Sequence, residues 1–449
     1  MSSEGMGIGR FEEKVVFVEQ SVPGDNVDAF AYKNRSKFMQ ARLEKLNLAS
    51  DMRIEPFCAH FGLCGGCKWQ YLSYKDQLAF KQQIVEDAFS RIGKVDIGEV
   101  LPIMGAPADR SYRNKLEFTF SNKRWLTQEQ IDSEEDFERN GLGFHIKGYF
   151  DKVVDVEQCH LQDSLQNEIR NFIRPRALEK GITFYDIRER RGNLRNLILR
   201  NNRRGEWMLI LAIWELDEDI KSLLEEVKEQ FPQISSLQYV INQKANDTIS
   251  DLDCVVFHGS DHLIETLGEY RFKIGPKSFF QTNTEQAERL YGKAIEFAGL
   301  KGGETLYDLY TGVGSIGIYM SNGCEKVVGL EYVPEAIEDA KENARLNDIN
   351  HCHFYAGDVK DLLGPELFEK HGKADVLVVD PPRAGMHGDV VESILEAEPP
   401  KVVYISCNPS TQARDIALMD AKYRVEKIQP VDMFPQTTHI ENIALLTLR

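Results

Sequence analysis

The period of apolar positions changes near residue 270. Before it, short runs alternate apolar and polar residues, the pattern of strands with one buried face. "VVFVEQ" and "VDAFAY", parted by the turn-rich "SVPGDN", predict a small barrel-like β unit at the start of the chain. "SYKDQLAFKQQIVEDAFSRIG" (73–93) carries a helical period, with Ser73 as its start signal and Gly93 as its stop. From about 110 to 265, "KLEFTFSN", "VVDVEQ", "LRNLILRNN" and "WMLILAIW" predict a mostly antiparallel sheet, interrupted by one helix near 215–230. Beyond 270, strands alternate with helices: "ETLYDLY", "KVVGLE", "CHFYAGD", "ADVLVVD" and "KVVYIS" each precede a helical stretch, and "YRVEKIQPVDMF" and "IENIALLTL" close the chain. That is a doubly wound α/β sheet, in which ligands bind beyond the C-terminal ends of the strands.

Three units follow: a small barrel over 1–52, a central domain over 53–265 and a Rossmann-like α/β domain over 266–449. A length of 449 residues agrees, being too great for one ordinary core. No apolar run reaches the ~18 residues of a membrane span, and the opening "MSSEGMGIGR" is polar, unlike a signal peptide. A cytoplasmic protein is expected, where disulfides are rare, so its eight cysteines need another explanation. The net charge of −17 speaks against a nucleic-acid partner, yet it is uneven. Residues 186–206 hold seven arginines against three acids, so a local basic stripe keeps RNA open as a partner. Arg110, Arg113 and Lys115 add to it, and arginines at alternating strand positions would track phosphates along one face.

Four strand ends carry candidate chemistry. "LYDLYTGVGSIGIYM" sets Gly312, Gly314 and Gly317 between a strand and a helix, a spacing that serves a dinucleotide or S-adenosylmethionine. Glu331 ends the next strand, where a carboxylate can accept ribose hydroxyls. Asp380 heads "DPPR" at a third strand end, and this rigid turn favours S-adenosylmethionine over a nicotinamide. Cys407 follows "KVVYIS" and precedes Asn408 and Pro409, at the mouth of the sheet and not within it. A thiolate there could add to carbon 6 of a pyrimidine and make carbon 5 nucleophilic toward a sulfonium methyl, one hard step split into easier ones. Glu441, an acid in an otherwise apolar strand, is the candidate base for the carbon-5 proton. His439 would share its face by strand alternation and rank below it.

"CAHFGLCGGC" gives Cys58, Cys64 and Cys67, a C-x5-C-x2-C pattern that points to metal. Cys159 is the better fourth ligand and Cys254 its rival, while Cys324 and Cys352 read as core thiols. Four thiolates suit zinc or a [4Fe–4S] cluster, and spacing does not separate them.

"YTGVGSIG", "DPPR", "ISCNP" and "DMFPQTTHIEN", in this order, resemble the S-adenosylmethionine-dependent RNA (uracil-5-)-methyltransferases, and among them the iron–sulfur-containing enzymes of 23S ribosomal RNA. The resemblance implies Cys407 as nucleophile and Glu441 as base. It implies Gln281 (in "IGPKSFFQTN"), Tyr310, Glu331 and Asp380 as S-adenosylmethionine contacts, beside Gly312 and Gly314 of the loop. It also implies a [4Fe–4S] cluster on Cys58, Cys64, Cys67 and Cys159, with a structural or RNA-orienting role. The N-terminal 50 residues resemble a TRAM domain, a small RNA-binding barrel, on the stretch 4–27, with its usual first strand missing. Three rival readings stand beside this one: the same reaction on transfer RNA, a non-catalytic iron–sulfur RNA-binding protein that needs neither Cys407 nor Glu441, and a DNA cytosine-5 enzyme, whose Pro-Cys context is absent here.

Overall fold

The computed structural model describes residues 1–133 and 135–449. Its first unit is a sheet of β1 (Gly7–Phe11), β2 (Lys14–Glu19), β3 (Asn26–Asn34) and β4 (Phe38–Leu48), in the order β1-β2-β4-β3. Strands β2 and β4 run parallel and the other pairs antiparallel. Among the described residues no ladder joins β1 to β3, so the expected barrel is an open sheet. Its outer faces carry exposed Phe11, Phe30 and Tyr32.

The helix foreseen over 73–93 runs from Tyr74 to Ala88. Ser73 caps it by accepting from the Asp76 N–H, and a π turn over Phe89–Gly93 ends it at Lys94 in the left-handed region. It leads into β5 (Ile97–Val100), which pairs in parallel with a strand from the far end of the chain. Val85, Ala88 and Phe89 pack into the C-terminal core, so this segment returns to the α/β domain although it lies in the range expected for the central one.

The central sheet holds β6 (Lys115–Ser121), β7 (Gly141–His145), β8 (Val153–Asp155), β9 (Leu194–Asn201), β10 (Trp207–Ile213), β11 (Ile234–Ile241) and β12 (Cys254–Gly259), in the order β12-β11-β10-β9-β6-β7-β8. All neighbours are antiparallel except β10 and β11, whose crossover is the helix Glu218–Gln230. Two further helices, Gln128–Asp132 and Leu165–Glu179, stand where only strands were expected. The longer packs Ile169, Ile173 and Ala177 onto the sheet. Strand β9 is buried on both faces, which corrects the picture of a solvated arginine strand.

A hairpin of β13 (Leu263–Leu267) and β14 (Tyr270–Ile274) precedes the last domain. There β15 (Thr305–Leu309), β16 (Lys326–Glu331), β17 (Cys352–Ala356), β18 (Val376–Val379), β19 (Lys401–Ser406), β20 (Tyr423–Val431) and β21 (Glu441–Leu448) join β5 in one sheet, ordered β17-β16-β15-β18-β19-β21-β20-β5. The first five are parallel, and β21 lies antiparallel between β19 and β20. Helices cover both faces, each over its own apolar core. No helix among the described residues is long and apolar enough to cross a membrane.

Candidate active site

The glycine loop leaves β15 through a strained residue. Tyr310 has φ +62°, a left-handed conformation that non-glycine residues seldom adopt. Gly312 follows at φ +56°, and a Cβ built on it meets nothing within 4 Å, so a ligand can approach that backbone closely. Gly314, at φ +81°, is already crowded by Ile318, Ala340 and Phe354 and serves packing. Glu331, at the end of β16, accepts from the Gly312 N–H at 3.2 Å and the Val333 N–H at 3.0 Å. Beneath the loop, buried Asp308 accepts from the Thr311 hydroxyl at 2.5 Å and the Gly317 N–H at 2.9 Å. Burial raises its pKa to about 7 despite these bonds, and its second oxygen has no partner. An open backbone cradle, a strand-end carboxylate and an orphaned buried oxygen fit an S-adenosylmethionine site.

Gln281 lies at the entry to the helix Thr284–Ala298, but the cap is Asn283, whose side chain accepts from the Gln286 N–H. Helix starting therefore does not explain Gln281. Its backbone carbonyl accepts from the Asn114 side chain at 2.9 Å, which ties the mouth of β6 to this segment. Two residues earlier Phe279 is 73% exposed beside buried Phe280, an aromatic that pattern reading passed over because two adjacent phenylalanines do not show which of them is buried.

Cys407 and Glu441 meet through strand register. Ser406 on β19 pairs with Asn442 on β21, so the next step of the antiparallel ladder sets Cys407 opposite Glu441. Directly opposed side chains have Cβ atoms about 5 Å apart. Pro409 starts the following helix at its first position, with Asn408 as cap, so the proline launches a helix rather than breaking one. Glu441 is buried in an interior strand, not at an edge facing water. Burial first, then the charge of Asp380, lifts its pKa well above the usual carboxylate range, against the pull of Arg383. Burial, then Glu441 and Asp380, pushes the Cys407 thiol up to about 12, with Arg383 again opposing. Asp380 itself is raised by burial and by Asp308. Three acids thus crowd one cation, and each loses its proton reluctantly.

Arg383, in "DPPR", escapes sequence reading because an arginine in a turn gives no periodic signal. Its carbonyl is held by the Asn408 amide at 3.1 Å and the Thr411 hydroxyl at 3.3 Å. Its guanidinium donates to His439 Nδ1 at 3.0 Å. His439 precedes β21, so strand alternation does not orient it. Burial and the cations Arg383, Lys81, Lys68 and Arg113 lower its pKa to about 4, which leaves it neutral.

The cysteine loop lies beside the central sheet, where Cys64 bridges to Ile146 just past β7. Burial raises Cys64 to about 11 and Cys67 to about 12, and each is raised further by the charges of Cys58 and Cys159. Cys159 is raised too, chiefly by burial. The Gly66 N–H donates to the Cys64 sulfur at 3.5 Å. Four thiols from two distant stretches thus share one neighbourhood, and Cys254, on β12 at the opposite edge of that sheet, is not among them. Among the described residues no three His, Cys, Asp or Glu side chains are drawn together around a single ion position. Of the arginines expected on RNA, Arg195 is buried and donates to the Asn242 and Lys244 carbonyls, and buried Arg200 donates to the Ser278 carbonyl. Arg188, Arg190, Arg191, Arg203 and Arg204 remain exposed.

Residues 365–449 match the family model of tRNA (uracil-5-)-methyltransferase. An RNA methyltransferase of Bacteroides thetaiotaomicron is 52% identical over the whole of both chains. One of Porphyromonas gingivalis is 48% identical over 99% of this chain and 98% of its own. Among solved structures, the Pyrococcus abyssi tRNA (uracil-54, C5)-methyltransferase in complex with S-adenosyl-L-homocysteine superposes with a TM-score of 0.76 and 27% identity, over 99% of this chain and 98% of that one. The chain belongs to the S-adenosylmethionine-dependent RNA uracil-5-methyltransferase family.

Proposed function

We propose that this protein methylates carbon 5 of a uridine in 23S ribosomal RNA through a covalent bond between Cys407 and the uracil. The register that sets Cys407 across from Glu441, with Asp380 and Arg383 beside them, is the observation that carries this reading. The bound donor, cradled by Tyr310, Gly312 and Glu331 with Gln281 and Asp380, supplies a methyl group on a positively charged sulfur. The chain's own residues do the rest. The Cys407 thiol gives its proton to solvent, and the sulfur bonds to carbon 6 as the electrons of the C5=C6 double bond move onto carbon 5 and its conjugated carbonyl. Carbon 5 takes the methyl group. The Glu441 carboxylate then removes the carbon-5 proton. The electrons of that C–H bond restore the ring double bond and expel the thiolate, which regains a proton. A flipped uridine is needed, since neither carbon is accessible inside a stack.

Ribosomal RNA is favoured by the cysteine pattern and by the motifs that resemble that subfamily. Domain content does not decide it, because an enzyme named for tRNA aligns along 99% of this chain. Transfer RNA is therefore the second reading. Incubation with radiolabelled S-adenosylmethionine and separate RNA pools tests both. Label is expected in 5-methyluridine of ribosomal RNA, and label confined to transfer RNA would move the substrate. Cys407→Ala should abolish turnover and keep donor binding, whereas turnover at the normal rate would overturn the covalent step.

We infer further that Cys58, Cys64, Cys67 and Cys159 hold a [4Fe–4S] cluster. A cubane takes one thiolate per iron, so its four sulfurs stand farther apart than four ligands of one zinc. Cys64, Cys67 and Cys159 come into one neighbourhood from two distant stretches of the chain, and the C-x5-C-x2-C pattern of the family it resembles supports the cluster over zinc. Its role here is to tie the loop Cys58–Cys67 to the stretch around Cys159, and the protein works in the cytoplasm. Anaerobically purified protein should be brown with broad visible absorbance, while a colourless protein with stoichiometric zinc would reject the cluster.

A further inference from the structure

The β7–β8 hairpin presents two aromatics to solvent beside the cysteine loop. Tyr149 is 46% exposed and Phe150 62%. They follow a tight turn in which the Tyr149 N–H donates to the Ile146 carbonyl at 3.1 Å, with Gly148 at φ +86°. That is the geometry of a type II turn, with glycine where φ must be positive. The tip is preformed rather than loose. Its rings pack against cations. Lys152 lies 5.1 Å from the centroids of both Tyr149 and Trp125, and Arg188 lies 5.3 Å from that of Phe150. Arg188 is oriented by Asp151, which accepts from its Nε at 2.6 Å.

The tip also joins the other parts of the molecule. Lys147 pairs with Glu19 of β2 at 2.7 Å, and exposed Tyr32 of β3 donates to the same carboxylate at 2.9 Å. Lys68, beyond the cysteine loop, donates its backbone N–H to Gln436 in the segment that leads to His439 and Glu441. Its charge is felt by both Glu19 and His439. Lys68 thus links the cysteine loop beside the hairpin to the segment that carries His439 and Glu441.

We propose that Tyr149 and Phe150 form a stacking platform for unpaired bases of the RNA substrate, flanking the path to Cys407. Exposed rings interleaved with cations are the recurring means of gripping single strands, since every base offers a face to stack on and every phosphate a charge. Lys147 and Arg188 are paired with acids, but Lys152 has no ion pair among the described residues, and a free cation beside exposed rings complements RNA and not an apolar protein patch. This inference rests on the RNA-substrate reading and goes beyond it by assigning a site outside the reaction centre.

Binding of a fluorescein-labelled oligouridylate of about 16 nucleotides to the full chain tests it, read by anisotropy over a range of salt. Tyr149→Ala/Phe150→Ala should weaken binding about tenfold or more. The salt slope should stay the same, because no cation is lost. Lys152→Ala should instead flatten that slope. Tyr149→Phe/Phe150→Tyr should bind as the wild type does. Wild-type affinity in the alanine variant overturns the platform, and so does an equal loss in the aromatic-swap variant, which keeps the stacking. Unchanged RNA binding with altered self-association on gel filtration would give the patch to a protein contact and overturn it. A wild-type chain that binds no RNA at all would overturn the substrate reading and this one with it, a result distinct from the others.

Discussion

Cys407, the proposed nucleophile, is held back by its own surroundings. Burial disfavours the thiolate, and the Glu441 and Asp380 charges add to that cost, so a free-cysteine pKa of ~8.5 becomes about 12. Arg383 is the one opposing charge. The sign of each neighbour's effect can be read from alkylation of the Cys407 peptide by iodoacetamide, followed by mass spectrometry. Below its pKa the thiolate fraction grows tenfold per pH unit, so the rate should climb without a plateau from pH 7 to pH 10. Glu441→Gln removes a neighbour whose charge lifts the thiol and should speed the reaction. Arg383→Ala should slow it. A plateau near pH 8, or equal rates in all three proteins, would remove the electrostatic account. The same argument gives the site its logic: it stays inert until a cation and a uracil arrive, and a reactive thiol at a sheet mouth is otherwise open to oxidation.

Among the elements, what could be read from sequence was what local pattern determines. The alternation of strands and helices after residue 270 produced β15 to β19 with their chemistry at the C-terminal ends, since each strand is a short apolar run closed by a turn. Ser73 and Gly93 bounded their helical stretch because capping is local. What long-range pairing decides stayed hidden. The sequence marked Cys407 and Glu441 separately, but their opposition depends on the register of β19 against β21. The Leu165–Glu179 helix was missed because Pro175 sits inside it, a residue that normally ends helices. Its amphipathic face against the central sheet outweighs that cost. Arg195 and Arg200 looked like phosphate contacts because charge in a strand suggests a wet face. They are buried instead, satisfied by carbonyls of the loop 242–246 and of Ser278. Sequence shows that a residue is charged, while only tertiary structure shows what neutralises it.

Across the whole molecule, the two ends of the chain are stitched together at the active site. Strand β5 completes the C-terminal sheet by pairing with β20. Gln77, on the helix before it, bonds to Gln436 at 2.9 Å. Lys81 on the same helix pairs with Asp432 at 2.6 Å, both side chains fully buried, and also donates to the Phe434 carbonyl. Asp432 to Glu441 is the segment that carries His439 and the proposed base, so residues early in the chain position the candidate site at its end. Removing one partner of a buried pair leaves an uncompensated charge and costs about 3–5 kcal/mol, whereas replacing both by apolar groups is often neutral. Lys81→Met should therefore lower the urea midpoint of the transition reported by Trp69, whose ring centroid lies 5.9 Å from the Lys81 ammonium. Turnover should fall with it, because the loop that holds His439 loses its anchor. Lys81→Met/Asp432→Leu should recover most of the midpoint and less of the turnover, because the Phe434 carbonyl has still lost its bond from Lys81 and keeps only those from Thr437. If the double variant unfolds as early as the single one, the pair stabilises by its own attraction, and apolar side chains in its place do not make up for it.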